Sequence, residues 1–530
     1  MLRVELEGGL LKMRMLCAGI VAQSLAATTF AGSLSNRWVY VTDGLLKESS
    51  VARVSNIVWM AKSNGMNGMV AGFGFDYFKY WPKERRDRLA RIQKICEEAG
   101  IEIIPTMWSL GYGQMQNYDR NVVEGMPVEG VPFRVEGTNA VFDVAAAPVR
   151  PISAKTGLHR EKQYYRLIKK VSVKPHRRYR YAFEVRTQEL VGDRPFMVIA
   201  VDATRKKYNE RAARKVDLRP TQDWTRCELD FCSAESDAFY LYIGFMGGWK
   251  SGNFELRQVT LTEIAPERVL RRPGAPFALR NASTGETYEE GRDYVIPDLL
   301  TQKRRKEAYI TLALPPGSKV KAGDRLLFDS HTPAVTQGSQ VSTCLSEPSL
   351  YDYIEDSAIR TEAALHPKKW HISMDEFRNG GTCAACRARG MTMGEIYADA
   401  VTKVFNIVQK VHPGAEVYIW SDMLDPNHNG VSVYYNCATS FEDAWKGVPK
   451  DLIICCWYDR KSDLSMPFFA SKGFRTLAAA YYDEKPPFKW SRQWRDVVRR
   501  TDGAIGIMYT TWRGSYEALQ AFCQILDESK

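Results

Sequence analysis

The strongest constraint on this chain is an alternation of apolar strands and amphipathic helices that stops once and then resumes. Trp38–Val41 reads as a first strand ending near Asp43. A helix over about 50–63 leads through Asn64-Gly65 to a second strand, Gly68–Phe73. Lys83–Ala99 carries Leu89, Ile92 and Ile95 at helical spacing, Gly100 supplies a C-cap glycine, and Ile101–Pro105 is a third strand. Units of this kind predict parallel strands joined by right-handed crossovers. The alternation then lapses for more than two hundred residues. It returns with a helix over Tyr351–Leu365 and a fourth strand that starts at Trp370 and runs into Asp375-Glu376. A helix over Thr392–Val411 and four more strands follow: Glu416–Trp420, Asp451–Trp457, Arg475–Tyr482 and Ala504–Tyr509. Eight strands in roughly 260 residues, once 1–34 and 112–345 are set aside, match an α/β barrel. The expected fold is therefore a (β/α)8 TIM barrel, interrupted after strand three by an inserted all-β, jelly-roll-like module.

The interruption is rich in short alternating strands, such as Tyr179–Val185 and Ala238–Phe245, with turn residues between them. The expected division is a barrel part at 35–112, a β-sandwich at 113–270, a smaller β-rich insert at 271–345 and a second barrel part at 346–530. Residues 1–34 read as a secretory leader: Lys12 and Arg14, then apolar Met15–Ala22, then small residues, with Met1 or Met13 as the start. Export is expected, with no span long enough to cross a bilayer.

Charge is unevenly placed. Residues 151–220 hold nineteen Lys and Arg against seven Asp and Glu, while the whole chain stands at +11. Such a block attracts anionic polymers or is plain solvated surface. No nucleic-acid-binding motif accompanies it, so a nucleic-acid partner is not expected. Cys383-Ala-Ala-Cys386 is a single CxxC without a second pair, so a local disulfide or simple packing is expected there, and no metal or other cofactor.

In a barrel of this kind the active site lies at the C-terminal ends of the strands. Those ends hold Asp43; Trp108 and Tyr112; Asp375, Glu376 and Arg378; Trp420, Asp422 and His428; Trp457 and Tyr458; Tyr481, Tyr482 and Asp483; Tyr509 and Trp512. Rings to stack on a sugar, carboxylates to hold hydroxyls and an acid to protonate a glycosidic oxygen are the chemistry of a glycan pocket. An oligo- or polysaccharide is the expected partner; the oligomeric state is open.

The fourth-strand motif His371-Ile372-Ser373-Met374-Asp375-Glu376 resembles the His-x-Gly-Gly-Asp-Glu of glycoside hydrolase family 20, the β-N-acetylhexosaminidases. Trp420 and Asp422, Trp457, Tyr481-Tyr482-Asp483 and Trp512 follow in that family's order. The resemblance implies substrate-assisted retention, with Glu376 as general acid and base. Asp375 would orient a 2-acetamido group whose carbonyl oxygen is the nucleophile, held by Tyr481. His371, Arg378, Trp420, Asp422, Trp457, Asp483 and Trp512 would bind the sugar. The chain departs from the pattern at Ser373-Met374 for Gly-Gly, Thr106 for Glu, Tyr112 for His and Arg513 for Glu, and lacks a first-strand arginine. A hydrolase of a non-acetamido sugar and a non-catalytic glycan-binding barrel stay open beside it.

Overall fold

The computed structural model describes residues 32, 34–113, 119–203, 210–296, 309–335 and 340–528. The leader read at 1–34 lies almost wholly outside them. Among the described residues, no helix is long and apolar enough to cross a membrane.

Eight parallel strands follow one another around a ring: Asn36–Thr42, Gly68–Gly72, Glu102–Pro105, Lys369–His371, Glu416–Trp420, Ile453–Cys456, Arg475–Tyr481 and Ala504–Thr510. The eighth pairs with the first, and a parallel bridge from Thr106 to His371 joins the third to the fourth. Met107 N donates to His371 O across that seam at 3.0 Å. The alternation of side chains explains the closure. Trp38, Tyr40, Tyr418, Trp420, Leu477 and Ala479 fill the ring's interior. Their neighbours Val39, Val41, Ile419, Ala478 and Ala480 face outward onto the helices.

The helices are Ser49–Ser63, Lys83–Ala99, Pro348–Leu365, Met393–Val411, Ser462–Ser471, Lys489–Arg500 and Leu519–Asp527, with a five-residue turn of helix at Ala384–Ala388. Gly100 has the left-handed conformation that a C-cap needs, and Thr392 with Glu395 forms a reciprocal capping box. After the fifth strand the barrel helix is missing. A long loop with one 3₁₀ turn at Ala444–Gly447 stands in its place.

Between the third and fourth strands the described residues form three antiparallel sheets. Two of them, of five and four strands within Arg150–Glu263, share one core of rings that includes Tyr165, Tyr181, Phe196, Phe231, Phe239 and Phe254. The third, of six strands, pairs Gly125–Glu136 and Asn139–Phe142 with Ala278–Asn281 and Arg325–Pro333. The first strands after the barrel therefore share a sheet with the last ones, and a boundary near 270 runs across that sheet. Register against Arg325–Pro333 requires it.

The basic block is compensated in three dimensions. Arg180 grips Asp230 through Nε and Nη2 at 2.9 and 3.0 Å, Arg186 pairs with Glu255, and Arg177 with Glu263. Their partners sit on neighbouring strands outside 151–220, so a window along the sequence overstates the local charge.

Candidate active site

Four of the residues singled out in the sequence converge where the fourth and fifth strands end. Leaving the fourth strand, the backbone takes a left-handed conformation at Ser373 (φ 45°), Met374 (φ 56°) and Glu376 (φ 48°). Glycine adopts this without strain, whereas other residues need the surroundings to hold them there. The surroundings do so. Ser373 Oγ bonds Thr106 Oγ1 at 2.9 Å, Met374 N donates to Trp108 O at 3.2 Å, and Tyr397 Oη donates to Met374 O at 2.8 Å. The loss of Gly-Gly thus leaves the bend in place. Beneath it Gly111 packs so tightly that a Cβ there would lie 1.9 Å from Asp375 O.

The bend sends the two adjacent carboxylates to different surroundings. Asp375 is buried; Tyr112 Oη donates to its Oδ2 at 3.1 Å, and its Oδ1 has no hydrogen-bond partner. Asp422 is fully buried, and its Oδ2 accepts from Glu376 N and Asn429 Nδ2, both at 3.0 Å. Its Oδ1 is also unpartnered, with the Trp457 indole N–H close by but outside bonding geometry. Burial, then the charges of Asp422 and Glu376, hold Asp375 well above the usual carboxylate range. Burial and the Glu376 charge push Asp422 up to about 7. Glu376 is partly open, and its Oε2 accepts from Arg378 Nη2 at 2.8 Å.

Arg378 is fixed from the inserted segment. Gln340 Oε1 accepts from its Nη1, its backbone N donates to Ser342 Oγ at 2.8 Å, and its guanidinium lies 5.0 Å from the Tyr435 ring centre. The long loop after the fifth strand brings Tyr434 into electrostatic range of Glu376 and Asp422.

Aromatic rings wall the site. Trp420 lies buried between His371 (4.4 Å), Tyr40 (5.8 Å) and Trp512 (6.0 Å). Trp457 stacks on Tyr482 with planes 4° apart, and Tyr482 meets Trp512 at 5.9 Å. Tyr482 and Trp512 are each over two-fifths exposed, so their faces are open to a ligand. A cleft of about 640 Å³ continues outward from this wall, lined by His428, Trp457, Tyr458, Asp459, Tyr482 and Trp490 among others.

Three predicted residues sit differently from their expected roles. Tyr481, the last residue of the seventh strand, is buried in the layer between barrel and helices, stacked on Tyr509 at 4.1 Å and edge-on to Phe522. Strand alternation sends its neighbour Tyr482 to the mouth instead. Asp483 is occupied by its own framework, accepting from Thr511 Oγ1, Trp512 N (2.8 Å) and Arg513 N (3.2 Å). It sets the loop that presents Trp512. His371 lies under Trp420 in the floor, bonded to Thr106 Oγ1 at 2.9 Å, and burial pulls it down to about 3, so it is neutral. Among the other strand-end residues, Asp43 is tied to Arg53 and Leu45 N, and Trp108 is a core ring stacked on Trp370.

Tyr112 and Tyr482, which the sequence already places among the strand-end rings, lie beside these residues together with Asn429, Tyr434 and Tyr435, which the sequence reading did not single out. Two gave a usable signal: Tyr112 follows the third strand and Tyr482 follows Tyr481. The others lie on a loop without periodicity.

No family model matches the chain, and no curated protein matches it. Similar solved structures include the Flavobacterium johnsoniae chitobiase, at 9% identity and TM-score 0.37 over 93% of this chain and 48% of that one. A glycoside hydrolase family 20 β-N-acetylglucosaminidase is similar at 10% identity and TM-score 0.37, over 93% and 69%. A carbohydrate-binding module structure, CBM4, aligns at 12% identity and TM-score 0.17, over 29% of this chain and 85% of that one. This chain spans about half the length of the chitobiase. Likenesses this weak carry no weight for activity, which has to be judged from the site itself.

Proposed function

We propose that this protein is an exported glycoside hydrolase that retains configuration and acts on β-linked N-acetylhexosamine-type glycans. The observation that carries the reading is the pairing, across one barrel mouth, of an aromatic wall with two carboxylates whose buried oxygens lack partners. A buried carboxylate oxygen without a donor is costly unless a ligand supplies one. Asp375 Oδ1 is suited to the N–H of a 2-acetamido group, and Asp422 Oδ1 to a sugar hydroxyl. Trp457, Tyr482 and Trp512 offer ring faces for the apolar side of a pyranose, with Trp420 packed beneath them.

The chemistry follows from these positions. Glu376 Oε1 gives its proton to the glycosidic oxygen as the bond to C1 breaks. The acetamido carbonyl oxygen, steadied by Tyr482 rather than Tyr481, forms the new bond to C1 and closes a cyclic oxazolinium. Glu376, now ionised and held by Arg378, takes a proton from water, which attacks C1 and reopens the ring. Asp375 Oδ1, in a dry place, accepts the acetamido N–H, and that hydrogen bond strengthens as positive charge grows on the reacting ring. Further sugars would extend along the cleft past Tyr458 and Trp490. The inserted sheets, jelly-roll-like in our reading, would hold the glycan chain or shape the mouth.

The test is turnover of aryl β-glycosides with and without the 2-acetamido group, by wild type and Glu376→Gln. Turnover confined to N-acetyl sugars, lost in the variant and blocked by a thiazoline inhibitor, supports the proposal. Turnover of plain glycosides would move the nucleophile to a carboxylate. No turnover of either would favour a glycan-binding barrel.

A further inference from the structure

Cys383 and Cys386 do not pair with each other; both lie against a third cysteine, Cys344. The Sγ of Cys344 is 3.4 Å from that of Cys383 and 3.7 Å from that of Cys386, and Glu124 Oε2 is 3.5 Å from Cys386 Sγ. All four ligand atoms lie within 4.8 Å of one another, and all four residues are buried. This is the one such cluster among the described residues. We propose that Glu124, Cys344, Cys383 and Cys386 form a structural zinc site.

The spacing fits the ion. Tetrahedral zinc holds sulfur at about 2.3 Å, which sets sulfurs about 3.8 Å apart and a carboxylate oxygen about 3.5 Å from a sulfur. Packing of three thiols explains the sulfurs but not a carboxylate sealed among them. The two oxygens of Glu124 are also unequal. Oε1 accepts from Cys383 N at 2.7 Å, whereas Oε2 has only long contacts, 3.3 Å from Gly381 N and 3.5 Å from Cys386 Sγ. Oε2 is the metal-facing oxygen, and the Cys383 bond to Oε1 orients it, as outer contacts orient metal ligands. Three thiolates and a carboxylate around a divalent ion leave a net negative charge. The buried Arg272, in electrostatic range of Glu124, Cys344 and Cys383, offsets part of it. Thiolate-rich, closed and four-coordinate, the site selects zinc in a structural role.

Its place in the fold gives it a purpose. Glu124 lies on the segment that leaves the barrel, just before the strand Gly125–Glu136, and Cys344 on the segment that returns. These legs pair with each other, Cys344 N donating to Val122 O at 2.8 Å and Glu124 N to Ser342 O at 2.7 Å. Cys383 caps, and Cys386 lies within, the short helical turn Ala384–Ala388 that follows Glu376 and Arg378. The ion would tie both legs of the inserted segment to the turn that follows the central residues of the mouth. The inference stands whether or not the protein is a hydrolase.

The experiment is metal analysis of the purified full-length chain, followed by chelation, zinc or cobalt reloading, and thermal melting. One zinc per chain is expected, with a lower melting temperature after stripping that zinc restores, and tetrahedral thiolate–cobalt absorption on reloading with cobalt. Cys386→Ser should lose the ion and Cys386→His should keep it. Should the serine variant fail to fold, the wild-type cobalt spectrum decides. A folded chain without zinc that takes up neither ion, or a disulfide between Cys344 and Cys383 found by mass spectrometry, overturns the site.

Discussion

The barrel mouth and the four-stranded sheet between the third and fourth barrel strands are both crowded with charge, and they treat it in opposite ways. On the sheet, Asp230, Glu255 and Glu263 each meet an arginine from a neighbouring strand, and the pairs lie near solvent. At the mouth, Glu376 pairs with an arginine, and Asp375 and Asp422 are sealed from water. Paired surface charge needs no ligand. Buried carboxylates with idle oxygens are tolerated where a substrate completes them. Under the proposal, the difference separates charge that the fold itself satisfies from charge left for a ligand.

The sharpest way to break the comparison is Glu376→Gln. Under the proposal it lowers kcat by roughly 10²–10⁴-fold with an unchanged circular dichroism spectrum. Retained turnover in a folded variant would make the mouth a second scaffold region. Next, Tyr482→Ala should lower kcat/KM about tenfold by removing a stacking face, whereas Tyr481→Phe should leave kinetics within about twofold. The reverse result would return the role to Tyr481.

A third test uses pH. Asp422 stands at about 7 in the folded chain against an ordinary 3.8. The folded state binds that proton more tightly than the unfolded one. Its stabilising contribution is therefore complete below about pH 4 and declines as the pH rises through 7. Asp422→Asn should flatten denaturant-measured stability across that window; a slope identical to wild type would refute the burial argument. The smallest effect belongs to the four-stranded sheet. Arg180→Ala should cost about 0.2–1 kcal/mol in urea unfolding, without altering turnover. A large loss of activity there would mean that the sheets act on the mouth.

Much of the framework was legible beforehand because it rests on local periodicity. Gly100, the capping box at Thr392 and Glu395, and the alternation around Trp38 and Tyr418 each follow from spacing that the chain carries within a few residues. The misplacements share one cause. Tyr481 and Tyr482 are adjacent, and only the strand's orientation decides which faces the mouth. Asp483 has a carboxylate suited to sugar hydroxyls, yet the loop after the eighth strand takes it up first. The CxxC read as a local disulfide or simple packing because the groups that cluster with it lie about forty residues before it at Cys344 and over two hundred and fifty before it at Glu124.

By itself the sequence determined the order of strands and helices, the point of interruption and the carboxylate pair at the end of the fourth strand. These depend on residue type and short-range period. Tertiary structure alone decided which carboxylates lose water, which tyrosine meets the cleft and which arginines are neutralised. It also decided that Glu124 and Cys344 reach Cys383 and Cys386. Desolvation and pairing depend on what the fold brings within a few ångströms, and no window along the chain contains those neighbours.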